Sequence, residues 1–340
     1  MIGTGVFTSL GFQLLDIHST SAVLMLWVIG GIAAFCGASC YAELGAALPK
    51  SGGEYNFLSH IYHPSLGFVS GWISVTIGFA APTALAAITF SKYLGAVYPA
   101  LPVQGLAVAL VAILTAIHST THNSSSAVQS VFTALKLVFI IGFSVAALCL
   151  VPQAQPVAVL PSTGDASYLL SGAFAVGLIY VSYAFTGWNA ATYISSELDN
   201  PQRQLPKILI LSTFLVTALY VLLNYVFLAV APMQALAGKV EVGFVAAGFA
   251  FGERGADMMG VAMALLLVST VSAMIIAGPR VIYAIGSDVK ALGYFGKLNA
   301  HGIPRRAIVL QAAITIVLIV SGTFEQILVF AGFTLGVNTL

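Results

Sequence analysis

Charge is scarce in this chain. Asp, Glu, Lys and Arg together make up 7% of 340 residues, against roughly 25% in soluble domains. Hydrophobic residues make up 59%, and the mean hydropathy is +1.00. A water-soluble fold needs more polar cover than this composition can give, so the solvent around the chain is lipid. A formal net charge of +1 offers no electrostatic footprint for nucleic acid. Cysteine is also sparse: Cys36, Cys40 and Cys149 all sit in apolar runs, which argues against a disulfide framework or a zinc site. Cys36 and Cys40, one helical turn apart, read as small packing residues. No His-Glu-x-x-His, Gly-x-Ser-x-Gly or phosphate loop occurs, so no enzyme is indicated and no cofactor or metal is implied. The six histidines fall mostly at loops or helix ends. Asn123-Ser124-Ser125 has the pattern of a glycosylation acceptor, but on the side expected to face inward. No basic stretch precedes an apolar core as in a signal peptide. Met1 leads directly into Ile2-Gly3-Thr4-Gly5, and Leu340 closes an apolar run, so both ends are expected to fall within membrane segments.

What is present is a series of apolar runs near the ~20 residues that cross a bilayer as a helix. A short first segment reaches about Leu15. Spans follow near 22–48, 66–94, 103–119, 127–151, 169–196, 207–231, 258–285 and 307–322, with a partial one from about 324. The polar stretch 152–168 reads as an outer loop. With the first segment ending outside, Lys50, Arg203, Lys207, Arg280, Lys290, Lys297, Arg305 and Arg306 fall inside. Lys92, Lys239 and Arg254 fall outside, which is the positive-inside bias. The amphipathic stretch 233–257 is expected to lie on the membrane or to cap the outer face. Gly67 and Gly71 have the spacing of a close helix contact.

Two apolar segments are interrupted. Gly3-Thr4-Gly5 opens the first, and Ser182-Tyr183-Ala184-Phe185-Thr186-Gly187 lies inside the 169–196 span. Unpaired backbone groups in hydrocarbon cost several kcal/mol, so such breaks persist where they line a protected cavity. Each break opens a block of five helices, about 1–151 and 169–340. Breaks at matching positions of two halves point to a transporter binding site. Exposed N–H groups at the start of one half-helix suit a carboxylate, and exposed carbonyls at the end of another suit an ammonium. Glycine used only for helix packing is the plainer alternative.

Three blocks then carry a resemblance. Ile2-Gly3-Thr4-Gly5-Val6-Phe7 resembles the first-helix signature of the amino acid–polyamine–organocation superfamily. Tyr41-Ala42-Glu43-Leu44 with Pro49-Lys50-Ser51-Gly52-Gly53-Glu54-Tyr55 resembles the exit of its second helix. Tyr183-Ala184-Phe185-Thr186-Gly187-Trp188-Asn189, Glu197 and Asn200-Pro201-Gln202-Arg203-Gln204-Leu205-Pro206 resemble its sixth helix and the loop that follows. The resemblance implies an all-α membrane protein with the LeuT-type bundle of two inverted five-helix repeats. About ten of twelve helices would be present, the first and last partial.

By the same resemblance, the backbone of Gly3, Thr4 and Gly5 would hold a substrate carboxylate. The carbonyls around Tyr183, Ala184 and Phe185 would hold its amino group. Tyr183 would close over the substrate, and Asn189 would make a polar contact. Trp188 divides between packing and substrate work. Lys136 stands inside the 127–151 helix, where a cation costs about 2.5–3.5 kcal/mol and commonly marks a functional path. In sodium-independent members a lysine here would bridge helices one, five and eight; snorkelling to the inner surface is the alternative. Glu43, Glu54 and Glu197 lie near inner helix ends. Glu43 and Glu197 with Arg280 form a candidate inner gate, unless they are merely solvated. The expected activity is alternating-access transport of neutral L-amino acids, by exchange or proton symport. The rivals are a cationic amino-acid or polyamine antiporter and a non-transporting amino-acid sensor. The expected partners are an amino-acid substrate, the lipid bilayer and protons, in a bacterial inner (plasma) membrane.

Overall fold

A chain in lipid must satisfy its backbone groups internally, and helices do so within one segment. The computed structural model describes residues 2–50, 52–120 and 126–339; the side chains of 126–129, 194, 196 and 197 lie outside the described residues. So do Asn123-Ser124-Ser125 and the side chain of Glu197. Among the described residues the chain forms helices and no strand.

In order these are α1 (Gly5–Asp16), α2 (Thr20–Ala47), α3 (Glu54–Ile61) and α4 (Pro64–Ile73). A π-helical turn, Ser74–Phe79, joins α4 to α5 (Ala80–Val97). Then come α6 (Val103–Thr120), α7 (Ser126–Leu150), α8 (Ala166–Leu169) and α9 (Gly172–Phe185). They are followed by a 3₁₀ helix, Ala190–Glu197, and by α10 (Pro201–Val230), α11 (Met233–Leu236), α12 (Val242–Asp288), α13 (Arg305–Ser321) and α14 (Phe324–Thr339). Side-chain caps mark several starts. Ser19 Oγ accepts from Ala22 N ahead of α2, and Ser171 Oγ from Phe174 N at α9.

Six spans among the described residues are long and apolar enough to cross a membrane: α2, α4–α5, α6, α7, α10 and α12. The bent pair Thr163–Leu169 and Gly172–Phe185 makes up to seven. The span expected near 169–196, interrupted at 182–187, is two pieces, α9 and the 3₁₀ helix. The expected span 307–322 is α13, whose 17 residues reach about 25 Å.

Burial separates inner from outer helices. Every residue of α1 from Gly5 to Leu14 is buried, as befits a helix enclosed by protein on all sides. Among the described side chains of α7 only a stripe is buried, Ile140, Phe143, Ser144 and Ala147. That i, i+3, i+4, i+7 pattern marks the face α7 turns to the bundle, and Leu137 and Phe139 beside it are partly buried against the same core. Cys36, Cys40 and Cys149 are exposed, which corrects the packing role expected for the first two.

The stretch 233–257 caps the bundle rather than lying free on the membrane. Leu236, Val242, Ala246, Ala247 and Ala250 are buried, and Gly238 N donates to the Gly11 carbonyl of α1. The chain breaks at Gly252 (φ 75°) before the membrane part of α12. Gly67 and Gly71 seat α3: their added Cβ atoms would strike Tyr55, with Ser59 also met by Gly67.

Candidate functional site

The two interrupted segments face each other. α1 begins at Gly5 with Thr4 as its N-cap; Phe7 N donates to the Thr4 carbonyl at 2.9 Å, a start that leaves the N–H groups ahead of it without a partner inside the helix. α9 ends at Phe185 because Thr186 turns to φ −52°, ψ 145°, and Gly187 takes φ 88°, a region L side chains rarely enter. Beyond it the chain resumes as a 3₁₀ helix of eight residues, longer than that weakly bonded form usually runs and a mark of hinge segments.

These ends are in direct contact. Thr4 Oγ1 and Tyr183 OH are 3.1 Å apart, and Ser9 Oγ donates to the Tyr180 carbonyl at 3.3 Å. A Cβ on Gly5 would lie 2.4 Å from Ala184 Cα, so only glycine permits the approach. The partially positive start of α1 thus meets the partially negative end of α9. A zwitterion would place its carboxylate at the first and its ammonium at the second.

The carbonyls expected at the ammonium end have partners of their own. The Tyr183 carbonyl accepts from Thr186 N and from Thr186 Oγ1. The Ala184 carbonyl accepts from Tyr220 OH at 3.1 Å. Two of the three expected acceptors are therefore engaged, leaving Phe185 as the terminal carbonyl of the helix. The Phe185 ring points into the core, packing on Trp27 and Tyr220. Trp188 and Tyr41 meet edge to face, with centroids 4.7 Å apart and planes at 77°. Packing accounts for both rings here.

Lys136 is brought to the start of the first segment. Its Nζ donates to Thr270 Oγ1 of α12 at 2.7 Å and to the Ile2 carbonyl at 3.5 Å. One ammonium therefore touches the chain before α1, α7 and α12 together. The cleft beside it, bordered by Gly3, Phe7, Met263 and Thr270, has room for about one water and not for an amino acid.

At the inner end, the side chain of Glu197, expected in the gate, lies outside the described residues. Glu43 is exposed on α2, and Arg280 is exposed toward the end of α12. The buried acid is Glu54, 2% exposed. Asn189 Nδ2 and Tyr193 OH donate to its two oxygens. Asn189, expected to face substrate, is thus held by α3. Next in the chain, Tyr55 OH donates to Asp288 at 2.7 Å, and burial together with that carboxylate raises its phenol above the usual range. Glu54 was hard to single out because its burial comes from α3 folding back on α4, which no hydrophobic period encodes. The Gly52-Gly53 turn before it, with φ of 126° and 54°, was the available signal.

Aromatic rings pack together near the end of α1. Phe12 stacks on Phe324 with centroids 5.7 Å apart and lies 5.9 Å from Tyr180. Tyr180 OH donates to Glu325. Asp165, in the outer loop, accepts from Ser19, Ser21 and Ser162 N. These bonds hold its carboxyl well below the usual carboxylate range.

A helix start and a helix end facing each other inside a shell of apolar spans define the class: a multi-pass helical membrane transporter. Residues 1–338 match the family model described as amino acid permease, and the chain belongs to that family. It is 27% identical over 345 residues to b(0,+)-type amino acid transporter 1 of Mus musculus, covering 98% of this chain and 69% of that protein. It is 31% identical over 268 residues to Asc-type amino acid transporter 1 of Mus musculus, covering 75% of this chain and 48% of that protein. It is 28% identical over 350 residues to large neutral amino acids transporter small subunit 2 of Rattus norvegicus, covering 98% and 64%. The chain is an amino-acid transporter of the amino acid–polyamine–organocation superfamily.

Proposed function

We propose that this protein carries neutral L-amino acids by alternating access, exchanging one for another across the membrane. The observation that carries the reading is the contact of the α1 start with the α9 end, where opposite helix-dipole ends meet at Gly5 and Ala184. The carboxylate would sit on the N–H groups of Gly3, Thr4 and Gly5, and the ammonium at the Phe185 end of α9. In this reading 1–151 and 169–340 are inverted repeats that rock about that site.

A neutral side chain is supported on electrostatic grounds. The Lys136 ammonium lies beside Gly3 and would repel a second cation. Glu54 is already occupied by Asn189 and Tyr193. Two relatives, a large neutral amino acids transporter subunit and an amino acid transporter of b(0,+) type, are named for amino-acid cargo, which agrees with this reading. Residence in a bacterial inner membrane belongs to the proposal as well.

The test is uptake of labelled alanine, leucine and arginine by the full-length protein in proteoliposomes, with and without internal amino acid, at two external pH values. Alanine and leucine uptake that needs internal amino acid supports exchange. Uptake driven by an inward proton gradient alone replaces exchange with symport. Arginine uptake alone overturns the neutral assignment, and saturable binding without uptake overturns transport.

A further inference from the structure

Glu54 is a buried carboxylate to which the transport reading gives no task. Its partners among the described residues are neutral. Asn189 Nδ2 and Tyr193 OH donate to it. Asn189 and Tyr193 both lie beyond the break that ends α9, one just before the 3₁₀ helix and one within it. α3 is anchored on the other side: Tyr55 bonds Asp288 at the end of α12, and Gly67 and Gly71 of α4 pack against Tyr55. One carboxylate therefore fastens the post-break segment to a fixed loop helix. Tyr193 OH is also 3.5 Å from Ser74 Oγ in the π turn, and its ring meets Phe79.

Two physical points make more of this than packing. A buried acid rarely adds stability over an apolar side chain of the same size, whereas removing its partners is costly. Both oxygens of Glu54 act as acceptors, so it fixes the Asn189 amide with Nδ2 toward α3 and leaves the amide oxygen as the remaining acceptor. An amide facing a neutral residue could turn either way.

We propose that Glu54 is a positioning residue for transport: it holds the segment after the break, with Asn189 oriented, in the arrangement seen here and releases it when the inner side opens. This rests on the transport reading.

The probe is Ser195→Cys in full-length protein whose Cys36, Cys40 and Cys149 are changed to alanine. Ser195 is 1% exposed and lies in the fastened segment. A membrane-impermeant maleimide applied from the inner side reads its opening. Losing a charge-assisted hydrogen bond shifts an equilibrium by about tenfold or more. Glu54→Gln is expected to raise the labelling rate by about that factor and to raise the external KM for exchange in step. Tyr193→Phe should do the same more weakly, and the double variant should add little to Glu54→Gln alone. Labelling and KM within about twofold of the parent, or strictly additive effects, would overturn the assignment. Absence of exchange by the parent would instead fail the transport reading, while the labelling comparison would still judge the latch.

Discussion

Adding one methyl group at Gly5 tests whether the approach of α1 to α9 is required. An ideal Cβ there would sit 2.4 Å from Ala184 Cα, 2.6 Å from its Cβ and 3.1 Å from its N. Carbon atoms pack at about 3.5–4.0 Å, so the helix ends must part by about 1 Å in Gly5→Ala. None of the three atoms belongs to a flexible side chain that could swing aside. Overpacking of this kind costs about 1–3 kcal/mol. It would also stretch the 3.1 Å contact of Thr4 with Tyr183. Uptake by Gly5→Ala is expected to fall about tenfold or more, with a lower melting temperature in detergent. The control is Gly142→Ala in α7, where a Cβ meets nothing within 4 Å. There alanine favours the helix by up to about 1 kcal/mol, so uptake should hold and melting should stay or rise. The reasoning is refuted if Gly5→Ala keeps both uptake and melting temperature at the parent's values.

Three further predictions follow. Lys136→Ala removes the bonds to Thr270 and Ile2; a charged hydrogen bond of about 1.5–3 kcal/mol predicts uptake lower by about tenfold or more, and retention of both transport and its pH dependence contradicts the role. Tyr183→Phe and Thr4→Ala each remove the same contact, so uptake should drop about three- to tenfold in either and no further in the double variant; additive losses would show that the two do not act together. Asp165 has its carboxyl held below the ordinary range by Ser19 and Ser162, so its contribution to stability is present above the unfolded pKa of about 3.9 and is lost as pH falls below it. Asp165→Asn should therefore melt lower than the parent at pH 7, with the gap closing below about pH 4; a gap constant down to pH 3 would exclude the carboxylate as its source.

Much of the fold was legible because lipid imposes one rule on every span. The run expected at 103–119 is α6 at Val103–Thr120, and that expected at 127–151 is α7 at Ser126–Leu150. The break was legible too, since Thr186-Gly187 sits inside an otherwise apolar segment. What lay beyond it was not. Residues 190–197 look like a helix continuing, and only the φ of Gly187 and the grip of Glu54 on Asn189 and Tyr193 explain a 3₁₀ segment there. The π turn at Ser74–Phe79 also left no pattern in the apolar sequence. At the site, residue types showed which backbone stretches would be open but not which carbonyls were already taken. Tyr220 caps Ala184 from 36 positions away, a contact set by how α10 packs on α9. Glu43 and Glu54 read alike in sequence, both near a helix end, until α3 folds back and buries only the second.

The central claim is that substrate lies between the start of α1 and the end of α9. The measurement that tests it most directly is an experimental structure of the full-length protein with bound leucine. The account predicts the carboxylate on the amides of Gly3–Gly5 and the ammonium at the Phe185 end of α9. Leucine bound elsewhere, with Gly5 and Ala184 still in contact as they are here, would contradict it.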